Sequence, residues 1–385
     1  MALDLQVLNK FKKDPAELKS NVLIRYICKE LFSYFVVSFL FLFVVFFANQ
    51  ILLIGESLLS KRAPFKDVAM VMIYSLPMLI SQSIPFATLI GFLMCLGRMM
   101  SDNEILIMRA SGFGYRYIFL PVLTLGIIIS LFTFFTNDYL TPLSKIKYNK
   151  LMTKIAQSTP TIVLEPNSVK SIGRSMVVIG DVEGSNVSDV IFFNSEENGT
   201  ESIIIAGESK LTDSKQDGVL LQLDMSDALM LSVKTSNRRN YDVLNSENIL
   251  MNIFDTTFTG GTIRSPSELT SSDLRKEINR MKESSGDSKR LNTWKMEYYK
   301  KFAIPFIVIC FSVLAFAVAF LFGKNNGLTM GLLIGVIISV FYWAIQISGQ
   351  LLVVHVQMNS FWCIWLPDII LGTAGLVLSL VHVLK

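Results

Sequence analysis

Leu31-Phe-Ser-Tyr-Phe35-Val-Val-Ser-Phe39-Leu-Phe-Leu-Phe43-Val-Val-Phe46-Phe-Ala-Asn49-Gln50-Ile-Leu-Leu-Ile-Gly55 contains no charged side chain. As a helix rising 1.5 Å per residue it would be about 37 Å long, more than the ~30 Å hydrocarbon core of a bilayer. It reads as a membrane span. Working outward, Val68–Gly97 and Tyr117–Asn137 are also free of charge. The pattern then stops for roughly 160 residues. It resumes at Phe302–Gly323, Asn325–Gln357 and Ser360–Leu384, the last with one acid, Asp368, near its start. The expected fold is an α-helical membrane protein with six transmembrane helices, three on each side of an inserted domain.

Composition agrees. Of the 385 residues 51% are apolar and 17% charged, against about 25% charged in soluble proteins. Disorder, a disulfide-rich module and an ordinary soluble enzyme are excluded. The 35 Lys+Arg against 31 Asp+Glu leave +4, too little concentrated basic excess for a nucleic-acid binder. Cys28, Cys95, Cys310 and Cys363 all lie in or beside the spans, so no disulfide and no metal site is expected.

Lys10, Lys12, Lys13, Lys19, Arg25, Lys29, Arg98, Arg109, Arg116, Lys324 and Lys385 fall on the N-terminal side of the membrane, against Lys61, Arg62 and Lys66 opposite. The positive-inside bias puts both termini in the cytoplasm and the insert outside. The first span starts about thirty residues in with no small-residue cleavage site after it, so a removed signal peptide is not expected. Within the insert, short β-branched runs at Ser175–Ile179, Val190–Phe193, Ser202–Ala206, Val219–Leu223 and Ala228–Ser232 are separated by turn clusters. They suggest a sandwich, jelly roll or open barrel. A helix at Ser267–Met281 leads back toward the membrane. The expected organisation is 1–137, 138–300 and 301–385.

No phosphate-binding loop, H-E-x-x-H or G-x-S-x-G is present, so no catalytic residue is expected. An ion-coupled transporter needs an ionisable group inside the bilayer. Asp368 follows Pro367 near an interface, where it reads as a water-accessible helix-start residue. A secondary transporter is therefore disfavoured.

Ser101-Asp102-Asn-Glu104 reads as a capping box opening a two-turn helix. Ile105 to Met108 and Arg109 follow, and Gly112 stops the helix. Such a helix either lies on lipid or plugs into a cytoplasmic motor; its acidic edge favours the motor, since anionic head groups would repel it. Phe32, Phe35, Phe39, Phe43 and Phe46 fall within a quarter-turn arc that Gln50 continues. The stripe is either packing bulk or the wall of an acyl-chain cavity, with Asn49 and Gln50 at its outer end. Lys61 and Arg62 beyond it either anchor the span or meet a lipid phosphate. Pro77 and Pro85 in the second span either bend it or let it flex.

The residues together resemble the LptF/LptG family of lipopolysaccharide-export permeases. Leu23-Ile-Arg-Tyr26, Leu76-Pro77, Ile84-Pro85 to Gly91, Leu96-Gly97-Arg98, Asn103-Glu104 to Met108-Arg-Ala-Ser-Gly112, Gly323-Lys-Asn-Asn-Gly327, Tyr342, Gly349 and Trp365-Leu-Pro367 carry the resemblance. It implies a bacterial inner-membrane ABC transporter permease with a periplasmic jelly-roll-like domain. It implies a second six-span permease as partner in a heterodimer, a cytoplasmic ATPase dimer that uses ATP and Mg, and a periplasmic bridge of similar domains. Ser101, Asp102, Glu104, Ile105, Met108, Arg109 and Gly112 would dock on the ATPase. Phe35, Phe39, Phe43, Phe46, Asn49, Gln50, Lys61 and Arg62 would face a cavity for lipopolysaccharide or a related glycolipid. Three departures stand out. Gln50 replaces the usual Lys, Asp368 replaces the usual Asn, and the segment before Leu23 is long. The alternative is a membrane-anchored scaffold whose β domain binds periplasmic partners without transport.

Overall fold

A computed structural model describes residues 15–59, 64–158, 167–172, 175–183, 186–195, 200–212, 219–234, 241–254, 265–283, 288–322 and 327–384. Six of its helices are long and apolar enough to cross a membrane, three before and three after a β insert. The chain divides into two compact units. One holds Met1–Ile51, Ser75–Ser144 and Pro266–Lys385; the other holds Leu52–Tyr74 and Lys145–Ser265.

In the first unit, α1 (Pro15–Leu59), α2 (Phe65–Ser101), the short α3 (Glu104–Ala110) and α4 (Arg116–Phe135) precede the insert. After it come α6 (Ser271–Glu283), α7 (Ser288–Phe322), α8 (Gly327–Leu351) and α9 (Ser360–Leu384). The most apolar stretches of α2 and α7 are 78% buried, against 11% for α1 and 17% for α8. So α2 and α7 form the centre, and α1 and α8 keep wide apolar faces for lipid or another subunit. Phe92, Phe311, Phe316, Leu89 and Leu93 fill the core. Pro77 and Pro85 both lie inside one continuous α2. Ser83 and Thr88 turn their hydroxyls onto the carbonyls of Leu79 and Ile84, at 2.7 and 2.8 Å. In lipid, such internal bonding is the main way to satisfy a polar group.

Small residues set the helix contacts. A Cβ on Gly97 would meet the Gly327 carbonyl at 2.2 Å, one on Gly331 the Leu93 carbonyl at 2.6 Å, and one on Gly335 the Ile90 side chain at 2.9 Å. The ridge Gly327-Gly331-Gly335 therefore lets α8 lie with its backbone against α2, as small-xxx-small interfaces do in membranes.

Past α4 the chain makes a π-helical turn, Thr136–Leu140. There Asp138 accepts from the backbone N–H and the hydroxyl of Ser271 at 2.7 and 2.9 Å, capping α6. Lys301 of α7, 6% exposed, stands 3.4 Å from the same carboxylate. The return helix is thus α6, starting at Ser271 rather than Ser267, after a short 3₁₀ turn at Pro266–Glu268. Its Leu274 and Ile278 bury against Trp294 of α7.

The second unit pairs the far ends of α1 and α2 with α5 (Thr141–Ser158) through Ile54, Val71 and Ile155. It also holds an antiparallel sheet. The strands are β1 (Ser168–Ile172), β2 (Ser175–Ile179), β3 (Val182–Glu183), β4 (Asn186–Ser195), β5 (Thr200–Thr212), β6 (Val219–Lys234) and β7 (Tyr241–Phe254). Their order is β1-β2-β4-β5-β6-β7, with β3 on β4. Alternating residues bury one face, but the alternation slips at one level. Val187 and Val190, Ala206 and Ser209, and Met225 and Ala228 are successive buried positions three apart instead of two. Between them the pairing steps over Asp189, Gly207, Asp227 and Glu247. Asp189 and Asp227 take φ of 53° and 49°, a left-handed conformation that Asp tolerates. The one-residue slip keeps the positions on both sides of it on the same buried apolar face.

Two expectations are corrected. Ser101 does not cap α3. It ends α2, and Asn103 at φ 58° is the residue before α3, with no side-chain capping bond. Asp368 is not a water-accessible helix start. α9 begins at Ser360 and runs through Pro367, so Asp368 lies two turns inside it and is fully buried.

Candidate functional site

The turn between α2 and α4 is built around one cation. Arg98, in the last turn of α2, reaches Glu30 of α1 at 2.8 Å, Glu104 of α3 at 3.5 Å and Asp102 at 3.6 Å. Tyr26 of α1 donates its hydroxyl to Glu104 at 3.0 Å. The Arg98 guanidinium also lies 5.7 Å from the Tyr34 ring centre. An isolated exposed ion pair contributes about 0–1 kcal/mol. Here one half-buried guanidinium serves three carboxylates on three segments, so its effect is positional. It fixes the start of α3 to both α1 and α2. The capping box is missing because α2 runs through Ser101, which leaves Glu104 first in α3 and not third; its carboxylate meets Arg98 and Tyr26 instead.

The other end of α3 is held locally. Gly112, at φ 90°, donates to the Arg109 carbonyl at 3.0 Å, and Phe113 donates to the Met108 carbonyl at 3.1 Å. This paired closure is the one a glycine stop provides. Arg109 hydrogen-bonds Tyr115 and lies 4.2 Å from its ring centre, and Tyr115 packs edge-on against Phe320 of α7. α3 is therefore a rigid knuckle tied to α1, α2 and α7.

Its faces differ. Ile105 is buried in the membrane core cluster and Met108 packs against it. Leu106 and Ile107 point the other way, 62% and 63% exposed. Asp102, Asn103, Ala110 and Ser111 are also exposed. The outward face is a small apolar tip with an acidic shoulder. Sequence reading missed Leu106 and Ile107, because a run of four apolar residues does not say which two face out. It also missed Glu30. The one acid entering the first span and the one base leaving the second were the available signal.

On α1, Phe35, Phe39, Phe43 and Phe47 stack ring on ring at 6.1, 5.8 and 6.0 Å. The ladder continues through Phe47, not Phe46. Phe46 turns to Phe86 of α2, which contacts Phe311 and Tyr342. Phe35 is buried; Phe39, Phe43, Phe47 and Gln50 are half-buried; Asn49 is exposed. Lys61 and Arg62 lie outside the described residues, as do Gly323 to Asn326. Among the described residues no cluster of three or more His, Cys, Asp or Glu could hold a metal ion.

The profile of the family described as "Lipopolysaccharide export system permease LptF/LptG" matches residues 25–381. The chain is similar to the lipopolysaccharide export system permease protein LptG of Escherichia coli K12, 23% identical over 350 residues, 87% of this chain and 91% of that protein. It is similar to LptF of the same strain, 19% identical over 207 residues, 53% of this chain and 57% of that protein. An uncharacterized protein of Rickettsia prowazekii, RP871, is 22% identical over 156 residues, 40% and 43% of the two chains. Six apolar helices, three before and three after a β insert, the anchored knuckle between α2 and α4, and a family match over nearly the whole length agree: the chain belongs to the LptF/LptG family of lipopolysaccharide export permeases.

Proposed function

We propose that this chain is the permease subunit of an ABC-type exporter that lifts lipopolysaccharide or a related glycolipid out of the inner membrane and passes it to a periplasmic bridge. The work comes from a separate cytoplasmic ATPase dimer, which holds ATP and Mg. A second six-span permease completes the membrane part, both termini are cytoplasmic, and the β domain is periplasmic.

The observation that carries this reading is the knuckle. Leu106 and Ile107 form an exposed apolar tip on a helix that Arg98 ties to α1 and α2. A groove on a motor protein, lined with apolar and basic groups, would accept that tip and its Asp102 shoulder. The scale of the work fits. Each CH₂ drawn from lipid toward water costs about 0.8 kcal/mol, so one long chain costs of order 10 kcal/mol. The half-buried Phe ladder on α1 offers acyl chains an apolar surface and lowers that cost.

The test is affinity purification of the full chain from native membranes. A nucleotide-hydrolysing partner is expected to co-purify, and Leu106→Asp with Ile107→Asp is expected to release it. Recovery of the double variant with an undiminished partner would contradict the reading.

A further inference from the structure

Asp368 is 0% exposed. It lies eight residues inside α9, about 12 Å along the axis from Ser360, and among the described residues no Lys or Arg pairs with it. Tyr342 of α8 donates its hydroxyl to Asp368 Oδ1 at 3.0 Å. Asp368 Oδ2 is buried with no partner. Two more buried polar atoms lack partners on the same pair of helices: Gln346 Oε1, one turn along α8 from Tyr342, and Trp365 Nε1, one turn along α9 from Asp368. The helices run antiparallel, with Gly349 against Cys363 and Tyr342 against Asp368. Gln346 therefore falls level with the stretch from Trp365 to Asp368.

The donor count decides the chemistry. With an ionised carboxylate the layer has two orphan acceptors, Asp368 Oδ2 and Gln346 Oε1, and one orphan donor, the Trp365 N–H. With the neutral acid, Oδ2 carries a proton. Two donors then share the layer with one amide oxygen that has two lone pairs, and one trapped water is enough to join them. A charge at this depth without a counter-ion is costly. The titratable groups facing Asp368 are Tyr342 from α8 and Cys310 from α7, and α2 presents the ring of Phe86 to Tyr342.

We propose that Asp368 is an intramembrane proton-binding site, its carboxyl kept as the neutral acid that accepts from Tyr342 and donates into the layer of Gln346, clamping α8 to α9. Loss of the proton breaks the donor balance, leaving two buried acceptors in the layer for the single Trp365 donor.

The test is infrared spectroscopy of the full chain in lipid nanodiscs, with isotope-labelled aspartate. A protonated-carboxyl band from aspartate is expected above neutral pH, shifted by Tyr342→Phe and absent in Asp368→Asn. Thermal unfolding gives the second readout. The folded state binds a proton that the unfolded chain has released, so wild-type stability falls as pH rises, by up to about tenfold in the folding constant per pH unit. Asp368→Asn, which keeps one donor and one acceptor, is expected to fold and to lose that slope. An aspartate spectrum showing carboxylate alone at neutral pH would overturn the proposal, as would an Asp368→Asn variant that keeps the wild-type slope. If the Asn variant does not fold, the labelled wild-type spectrum still decides.

Discussion

Arg98 and Glu30 close a 2.8 Å ion pair between the last turn of α2 and the entry of α1. The same guanidinium also engages Glu104 at the start of α3. A push on α3 therefore reaches two membrane helices through one side chain. Residues that couple two sites without contacting either ligand change coupling by about 0.5–2 kcal/mol. Arg98→Ala and Glu30→Gln are each expected to lower nucleotide-driven lipid release by a few-fold to about thirtyfold, with ATPase binding retained. A double-mutant cycle is expected to be non-additive, since both changes break one link. Additive losses, or loss of ATPase binding, would assign Arg98 to docking instead.

The glycine ridge should be intolerant of any side chain. Gly97→Ala puts a Cβ 2.2 Å from the Gly327 carbonyl, and Gly331→Ala puts one 2.6 Å from the Leu93 carbonyl. Both meet backbone, which has no rotamer to escape by. Each is expected to destabilise by about 1–3 kcal/mol, the usual cost of overpacking. Gly114→Ala is the control, because nothing lies within 4 Å of its Cβ position. Thermal unfolding in detergent separates the three.

Asp138 holds two partners, the buried Lys301 and the N-terminus of α6. Asp138→Ala leaves a buried ammonium unpaired, which typically costs about 3–5 kcal/mol. Adding Lys301→Met removes that charge, so the double variant is expected to regain part of the loss. The part not regained measures the α6 cap, about 1 kcal/mol. A double variant no better than Asp138→Ala would show that the ion pair contributes little.

The proposed function places the aromatic ladder on the path of the cargo. A photo-crosslinking residue at Phe43 or Phe47 is expected to capture acyl chains of the transported lipid during nucleotide turnover. One at Phe92, fully buried in the helix core, is expected to capture none. Equal labelling at all three positions would remove the ladder from the transport path.

The six spans were legible because charge-free length is a one-dimensional property, and bilayer thickness turns it directly into a helix. The Gly112 stop was legible for a similar reason, since its hydrogen bonds close within five residues. The capping box failed because α2 runs on through Ser101 and puts Glu104 first in α3, where Arg98 and Tyr26 take its carboxylate, and a local motif cannot see a partner 78 residues away. Asp368 was misread because Pro367 looked like a helix start, whereas membrane helices carry proline in their interiors. The facing of Leu106 and Ile107 depended on where the core lies, and a seven-residue helix is too short for its pattern to say. The slip across β4 to β7 left only a weak trace, two Asp residues and a Gly in otherwise alternating strands. The glycine spacing of α8 was in plain view, but its partner Gly97 emerged only from the packing.

The most direct measurement reconstitutes the full chain with the proposed partner permease and ATPase in proteoliposomes and follows labelled glycolipid leaving the bilayer for an acceptor. Release is expected only with hydrolysable nucleotide, to survive collapse of the proton and sodium gradients, and to vanish in the Leu106→Asp/Ile107→Asp variant. Release without nucleotide, or at the wild-type rate from that variant, would contradict the claim that the work enters through α3.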